Sequence, residues 1–187
     1  MEHGLILSGF GGQGLLFAGQ IVAQAAVIEG RNVSWLPSYG PEMRGGSAAC
    51  TVIVSDRPIG SPVVDRAAIL IALNPPALSK YAAVVAPGGL IVVNESLIEA
   101  DVERADVEVV RMPASALARS IGDERFISII GLGGALARRP IVAPASVRRA
   151  LEEVAKGGRA VTDANLQAFE LGLDSSRVAT SAAVATA

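Results

Sequence analysis

Leu5-Ile6-Leu7-Ser8-Gly9-Phe10-Gly11-Gly12-Gln13-Gly14 decides how this chain is read. An apolar run too short for a helix meets a glycine cluster, the pattern of a buried strand ending in a tight turn. Behind it, Gly12 to Gly30 carries Leu15, Ala18, Val22, Ala25 and Ala26 at helical spacing, with Gly30 placed as a helix-terminating glycine. Val33-Ser34-Trp35-Leu36 reads as a second strand, closing a strand–helix–strand unit. Gly9 to Gly14 therefore fits G-x-G-x-x-G in the right context. Glycines there let a ligand approach the backbone, and free amides at the helix start face an anion. Gly9, Gly11, Gly12, Gln13 and Gly14 are the candidate anion-cradle residues. A dinucleotide site also needs an acid at the end of the second strand to hold a ribose. That end reads Trp35-Leu36-Pro37-Ser38, and Glu29 falls inside the preceding helix. Glycines serving only tight helix–strand packing stay open as the alternative.

Further on, Ala48 to Ser55 forms a strand without a clean polar face, and Asp56-Arg57-Pro58 turns the chain. Ile69-Leu70-Ile71-Ala72-Leu73 is a fully apolar strand ended by Asn74-Pro75-Pro76. A helix over Ala77–Ala83 precedes the strand Leu90-Ile91-Val92-Val93-Asn94, and Val107–Arg111 is a weaker strand. The remainder is helical: Ala114–Ser120, Phe126–Ala137, Ala145–Lys156 and Asp163–Leu171. Strands alternating with helices predict an α/β fold, a Rossmann-like open and mostly parallel sheet flanked by helices, with a helical C-terminal part. Residues 1–174 are expected to form a single domain. Ser175 to Ala187, rich in Ala, Thr and Ser, is expected to be a frayed or partner-docked tail.

Composition narrows the chemistry. In 187 residues, 51% are hydrophobic and 18% charged, so a sizeable core is expected and wholesale disorder is excluded. A net charge of −2 without a Lys/Arg block argues against nucleic-acid binding. A single cysteine, Cys50, and a single histidine, His3, rule out an intramolecular disulfide, a Cys-ligated cluster, a zinc ribbon and a His-dependent triad within one chain. No catalytic residue and no metal ligand is assigned, and no Walker lysine follows the glycines. The uncharged run Gly4 to Ile28 is long enough for a bilayer, but its glycines and Gln13, Gln20 and Gln24 make it a poor span. Met1-Glu2-His3 lacks the basic start of a secretory signal. A cytoplasmic protein with no membrane contact is expected.

The least generic stretch is Pro37-Ser38-Tyr39-Gly40-Pro41-Glu42-Met43-Arg44-Gly45-Gly46. Ligands of open α/β sheets collect at the carboxyl edge where such a loop sits. Ser38, Tyr39, Glu42, Arg44, Gly45 and Gly46 are candidate site or interface residues, with Arg44 as the anion ligand. An internal Glu42–Arg44 pair pinning the loop is the competing reading. Asn74 and Asn94 each follow the last apolar residue of a strand and would line the same edge, although Asn is also a common turn-former.

Together, Gly9–Gly14 with Leu15-Leu16-Phe17-Ala18-Gly19, the Pro37–Gly46 loop and Leu90–Asn94 resemble the gamma subunit of 2-oxoacid:ferredoxin oxidoreductases. Asn165-Leu166-Gln167-Ala168-Phe169-Glu170-Leu171-Gly172 is similar to that family's C-terminal helix. The likeness spans about residues 3–173. It implies a multisubunit enzyme that turns a 2-oxoacid and CoA into an acyl-CoA, carbon dioxide and two electrons for ferredoxin. It also implies that thiamine diphosphate is held between alpha and beta partners, with iron–sulfur clusters elsewhere, often on a ferredoxin-like subunit. On this resemblance the present chain holds no cofactor by itself. It packs on the catalytic pair, shapes the CoA end of the site, and forms homodimers when isolated. The wording of Ser38 to Gly46 inclines the likeness toward the 2-oxoglutarate and branched-chain members, 2-oxoglutarate first. Arg125-Phe126-Ile127-Ser128 departs from the family, which often opens that helix with Asn. A stand-alone nucleotide- or CoA-binding module, or a purely structural subunit, are the alternatives.

Overall fold

In a computed structural model, residues 1–39, 46–154 and 157–184 are described, with side chains as far as Ser176. The first strand, β1 (Glu2–Phe10), alternates its side chains between two cores. Leu5 and Leu7 point into one and Ile6 into the other. The apolar sequence lacks the alternation of a half-solvated strand because both of its faces are covered. Helix α1 (Leu15–Ile28) follows and buries Leu15, Ala18, Ile21, Val22, Ala25 and Ala26. It ends where Gly30 adopts φ +71°, the left-handed conformation expected after a helix terminus.

The sheet order is β2 (Asn32–Tyr39), β3 (Ser47–Ser55), β1, β4 (Ala67–Ala72), β5 (Val85–Asn94), β6 (Glu108–Met112). Strand β3 runs antiparallel to both of its neighbours, and the pairings from β1 to β6 are parallel, so β3 alone runs against the rest. This corrects the simple strand–helix–strand unit expected at the start of the chain. β2 does not lie beside β1. β3 runs opposite to β2 and takes the place at β1 along its whole length, from Glu2↔Ser55 to Phe10↔Ser47. β2 becomes the sheet edge.

Helices cover the faces unequally. α2 (Pro75–Tyr81) sits on one face, where Ala77 and Leu78 pack on Ile6, Leu70, Ile91 and Val93. On the other face lie α1, α3 (Ala114–Ser120), α4 (Ile127–Arg138), α5 (Pro144–Val154) and α6 (Arg159–Val184). α4 is buried all round from Ile127 to Leu136, as expected of a helix held between the sheet and a second helix layer. Its outer neighbour is α6, and the two backbones touch. A Cβ on Gly133 would stand 2.4 Å from the Phe169 carbonyl oxygen, and one on Gly172 would stand 2.1 Å from that of Ile130. α6 is far longer than the Asp163–Leu171 segment expected. Residues 175–184 contain neither Pro nor Gly, so nothing in their sequence stops the helix. The uncharged run Gly4–Ile28 is accounted for by β1, the glycine turn and α1, and no helix among the described residues is long and apolar enough to cross a membrane.

Candidate functional site

The ends of β1, β2, β4 and β5 and the start of β3 share one edge of the sheet. Gly9–Gly14, Ser38, Tyr39, Gly46, Asn74 and Asn94 therefore gather there, as expected. Glu42, Arg44 and Gly45 lie outside the described residues.

The glycine turn is held from three sides. Phe10 N donates to Gln13 Oε1 at 2.8 Å, Gly11 N to the Gly46 carbonyl at 2.9 Å, and Ser128 Oγ to the Gln13 carbonyl at 2.6 Å. Gln13 is thus engaged within the turn, and a Cβ on Gly9 would meet its Oε1 at 2.3 Å. Gly12 and Gly14 have φ +96° and +78°, which disfavour any side chain. They differ in surroundings. A Cβ on Gly14 would meet the Arg125 carbonyl oxygen at 2.3 Å, whereas one on Gly12 would meet nothing within 4 Å. Packing therefore explains Gly9 and Gly14, while Gly12 borders open space. Gly14 caps α1 without any side-chain hydrogen bond, and the first intrahelical bond runs from Ala18 N to the Gly14 carbonyl. The amides of Leu15, Leu16 and Phe17 are accordingly the orphan donors of the helix start. These three residues line the same recess as Gly12.

The two asparagines have different duties. Asn94 is fully buried: its Nδ2 donates to the Leu73 carbonyl at 3.2 Å and Ser115 Oγ at 2.8 Å, and its Oδ1 accepts from Ser115 N at 3.2 Å. It ties β4, β5 and α3 together. Asn74 caps α2, its Oδ1 accepting from Ala77 N at 2.8 Å, while its buried Nδ2 has no acceptor among the described residues.

Three recesses open along this edge. One of about 290 Å³ is bounded by Phe10, Gly12, Leu15, Tyr39 and Arg125. It shares Gly14, Phe17 and Arg125 with a second of about 460 Å³ that continues to Phe126, Val161 and Asn165. The third, about 160 Å³, lies on the α2 side of Tyr39. Of the four phenylalanines and two tyrosines, only Phe169 lies away from these recesses, in the core. Phe17, Phe126 and Tyr81 also pack against the cores, whereas Phe10 and Tyr39 are exposed, and aromatic side chains spent at a surface mark a contact face.

Sequence reasoning missed Arg125 and Ser128 as supports of the turn, although the departure at Arg125–Ser128 pointed to that segment. Arg125 is paired with Asp123, Nε to Oδ2 at 2.7 Å, and the guanidinium holds that carboxyl below its ordinary range. The residues most often recruited as nucleophile or base are remote or inert. His3 stands near the opposite end of β1, and partial burial followed by the charge of Arg31 lowers its pKa. Cys50 is fully buried, which raises its pKa to about 11 despite a hydrogen bond from Trp35 Nε1 at 2.9 Å. No three His, Cys, Asp or Glu side chains among the described residues converge to hold a metal ion.

With this geometry in view, known proteins were compared. The family model described as pyruvate ferredoxin/flavodoxin oxidoreductase matches residues 4–175. Ketoisovalerate oxidoreductase subunit VorA of Methanothermobacter thermautotrophicus is 38% identical over 172 residues, covering 91% of this chain but 36% of VorA, so the chain spans about a third of that relative. 2-Oxoglutarate synthase subunit KorC of Methanocaldococcus jannaschii is 35% identical over 178 residues, covering 93% of this chain and 94% of KorC. The gamma subunit of a keto/oxoacid ferredoxin oxidoreductase from Geobacter sulfurreducens superposes with a TM-score of 0.79 at 29% identity, over 94% of this chain and 99% of that one. A sheet with β3 inserted beside β1, a clamped glycine turn and a match over nearly the whole length lead to one assignment. The chain belongs to the pyruvate ferredoxin/flavodoxin oxidoreductase family and is of its gamma type.

Proposed function

We propose that this chain is the gamma component of a cytoplasmic 2-oxoacid:ferredoxin oxidoreductase and is inactive alone. The reaction assigned to the assembly takes a 2-oxoacid, CoA and two oxidised ferredoxins to an acyl-CoA, carbon dioxide, two reduced ferredoxins and a proton. The C1–C2 bond breaks, the two electrons left on the acyl carbon pass to ferredoxin, and the CoA thiol loses its proton as the thioester forms. Thiamine diphosphate and iron–sulfur clusters belong to alpha, beta and ferredoxin-like partners. Residues 1–174 act as one gamma-type domain whose carboxyl edge docks on the thiamine-holding pair, and residues 175–187 dock on a partner. Gly9, Gly11, Gly12, Gln13 and Gly14 form the rim for CoA phosphates, and Tyr39, Glu42 and Arg44 contact partner subunits or CoA phosphates, with Arg44 as the anion ligand. The observation that carries this reading is the start of α1, which has no side-chain cap, next to Gly12 in a recess lined by Phe10, Phe17 and Tyr39.

2-Oxoglutarate is the proposed substrate. The end-to-end match to a 2-oxoglutarate synthase subunit supports it over the partial match to a ketoisovalerate enzyme. A stand-alone dinucleotide module is disfavoured, because β2 lies two strands from the glycine turn and ends without an acid. The test is co-expression with thiamine-binding partners. The tagged chain should retain them, and the purified assembly should reduce ferredoxin with 2-oxoglutarate and CoA. Faster turnover with 2-oxoisovalerate would overturn the substrate alone. Full CoA-dependent activity without this chain, or thiamine retained by the chain alone, would overturn the whole reading.

A further inference from the structure

The third recess differs in chemistry from the glycine turn. Ser8, Ser38 and Ser47 line it from the ends of three strands, Lys80 and Tyr81 from α2, and Tyr39 separates it from the glycine side. Ser8 Oγ donates to the Ala48 carbonyl at 3.2 Å. Among the described residues, the hydroxyls of Ser38, Tyr39, Ser47 and Tyr81 have no partner and no carboxylate lines the cavity. Lys80 is one of two lysines in a chain that otherwise uses arginine, and arginine makes the ion pairs between side chains. Lys80 makes none among the described residues, and its ammonium lies 4.9 Å from the centre of the Tyr81 ring.

We propose that this recess, where Lys80 meets the uncommitted hydroxyls of Ser38, Ser47, Tyr39 and Tyr81, binds a phosphoryl group. A planar carboxylate is best matched by the fork of an arginine, which none of the described residues lining the recess supplies. A point-charge ammonium surrounded by hydroxyls that can donate from several directions suits a tetrahedral oxyanion. A cavity of about 160 Å³ takes one such group and little more. Apart from Tyr39, which also borders the glycine side, its lining residues are not among those proposed for the CoA rim, so the two sites can be tested separately.

Amide NMR on the full chain tests it, with inorganic phosphate, ribose 5-phosphate and acetate as separate probes. Phosphate or its monoester should give saturable shifts at Ser8, Ser47, Ala77 and Tyr81. Lys80→Met, an exposed position whose change leaves the fold intact, should weaken binding by about tenfold or more. Saturation by both probes identifies free phosphate as a sufficient ligand, and saturation by ribose 5-phosphate alone identifies a phosphorylated metabolite. The proposal is overturned if acetate binds as tightly. It is equally overturned if Lys80→Met binds as well as the parent, or if only Gly12 and Leu15 respond.

Discussion

Two glycines of one turn separate backbone strain from crowding. At Gly12 an alanine would suffer only the left-handed backbone, so Gly12→Ala should cost about 1–2 kcal/mol. At Gly14 the same strain adds to a collision with the Arg125 carbonyl, so Gly14→Ala should cost roughly 3 kcal/mol or more. Urea unfolding, compared at constant slope, reads the difference. Equal costs would mean that the backbone at Arg125, just ahead of α4, yields to the new methyl and does not clamp the turn. Cys50 offers a second test at this scale. Burial lifts its thiol from 9.0 to about 11. Between those values the unfolded chain loses a proton that the native one keeps, so stability is intact below pH 9 and declines as pH rises toward 11. The slope is at most about 1.4 kcal/mol per pH unit, and Cys50→Ala should flatten it. Below that window the native protein should resist alkylation, which unfolding would restore.

Helices were largely legible from spacing, because an apolar stripe at helical period survives whatever it packs against. The expected Ala114–Ser120 helix coincides with α3, the segment expected over 126–137 lies within one residue of α4 at each end, and that over 145–156 starts within one residue of α5, residues 155 and 156 lying outside the described residues. Strand neighbours were not legible. β1, β2 and β3 are apolar enough to pair in several orders, and the order appears only in the antiparallel pairing of β3 with both of the others. The candidate site divides the same way. Its local part, the glycine turn, is written in consecutive residues, whereas its support from Ser128 comes from 115 positions away. Glycine is a poor helix former in isolation, and the use of the glycines in α4 and α6 appears only when the two backbones meet. Gly172→Ala puts a methyl 2.1 Å from the Ile130 carbonyl oxygen, so the helices must part. A loss of about 3 kcal/mol is expected, read as a lowered Tm with the helical signal of the native state kept. A change under about 0.5 kcal/mol would show that α6 is not seated on α4 in this way.

At the scale of the whole molecule, the distribution of apolar surface is lopsided. One sheet face carries five helices and the other carries α2, while edge strand β2 leaves Trp35, Leu36 and Tyr39 exposed at 38%, 46% and 61%. Phe10, at 37%, lies beside Tyr39 around the same recess. Aromatic groups left in water at one end of a molecule favour any partner that covers them, each contributing on the order of 1.5–3 kcal/mol when fully buried. If thiamine-binding subunits cover this end, the isolated chain has no such cover and should pair with itself in a concentration-dependent way. Sedimentation should show the pairing, and joint Phe10→Ser and Tyr39→Ser substitution should weaken it at least about tenfold. The same double variant should assemble poorly with its partners. Trp35, the only tryptophan, gives the optical check, since its half-exposed indole should shift its emission to the blue when the end is covered. A chain that stays monomeric at every concentration, and whose double variant assembles normally, would place the partner surface elsewhere on the molecule.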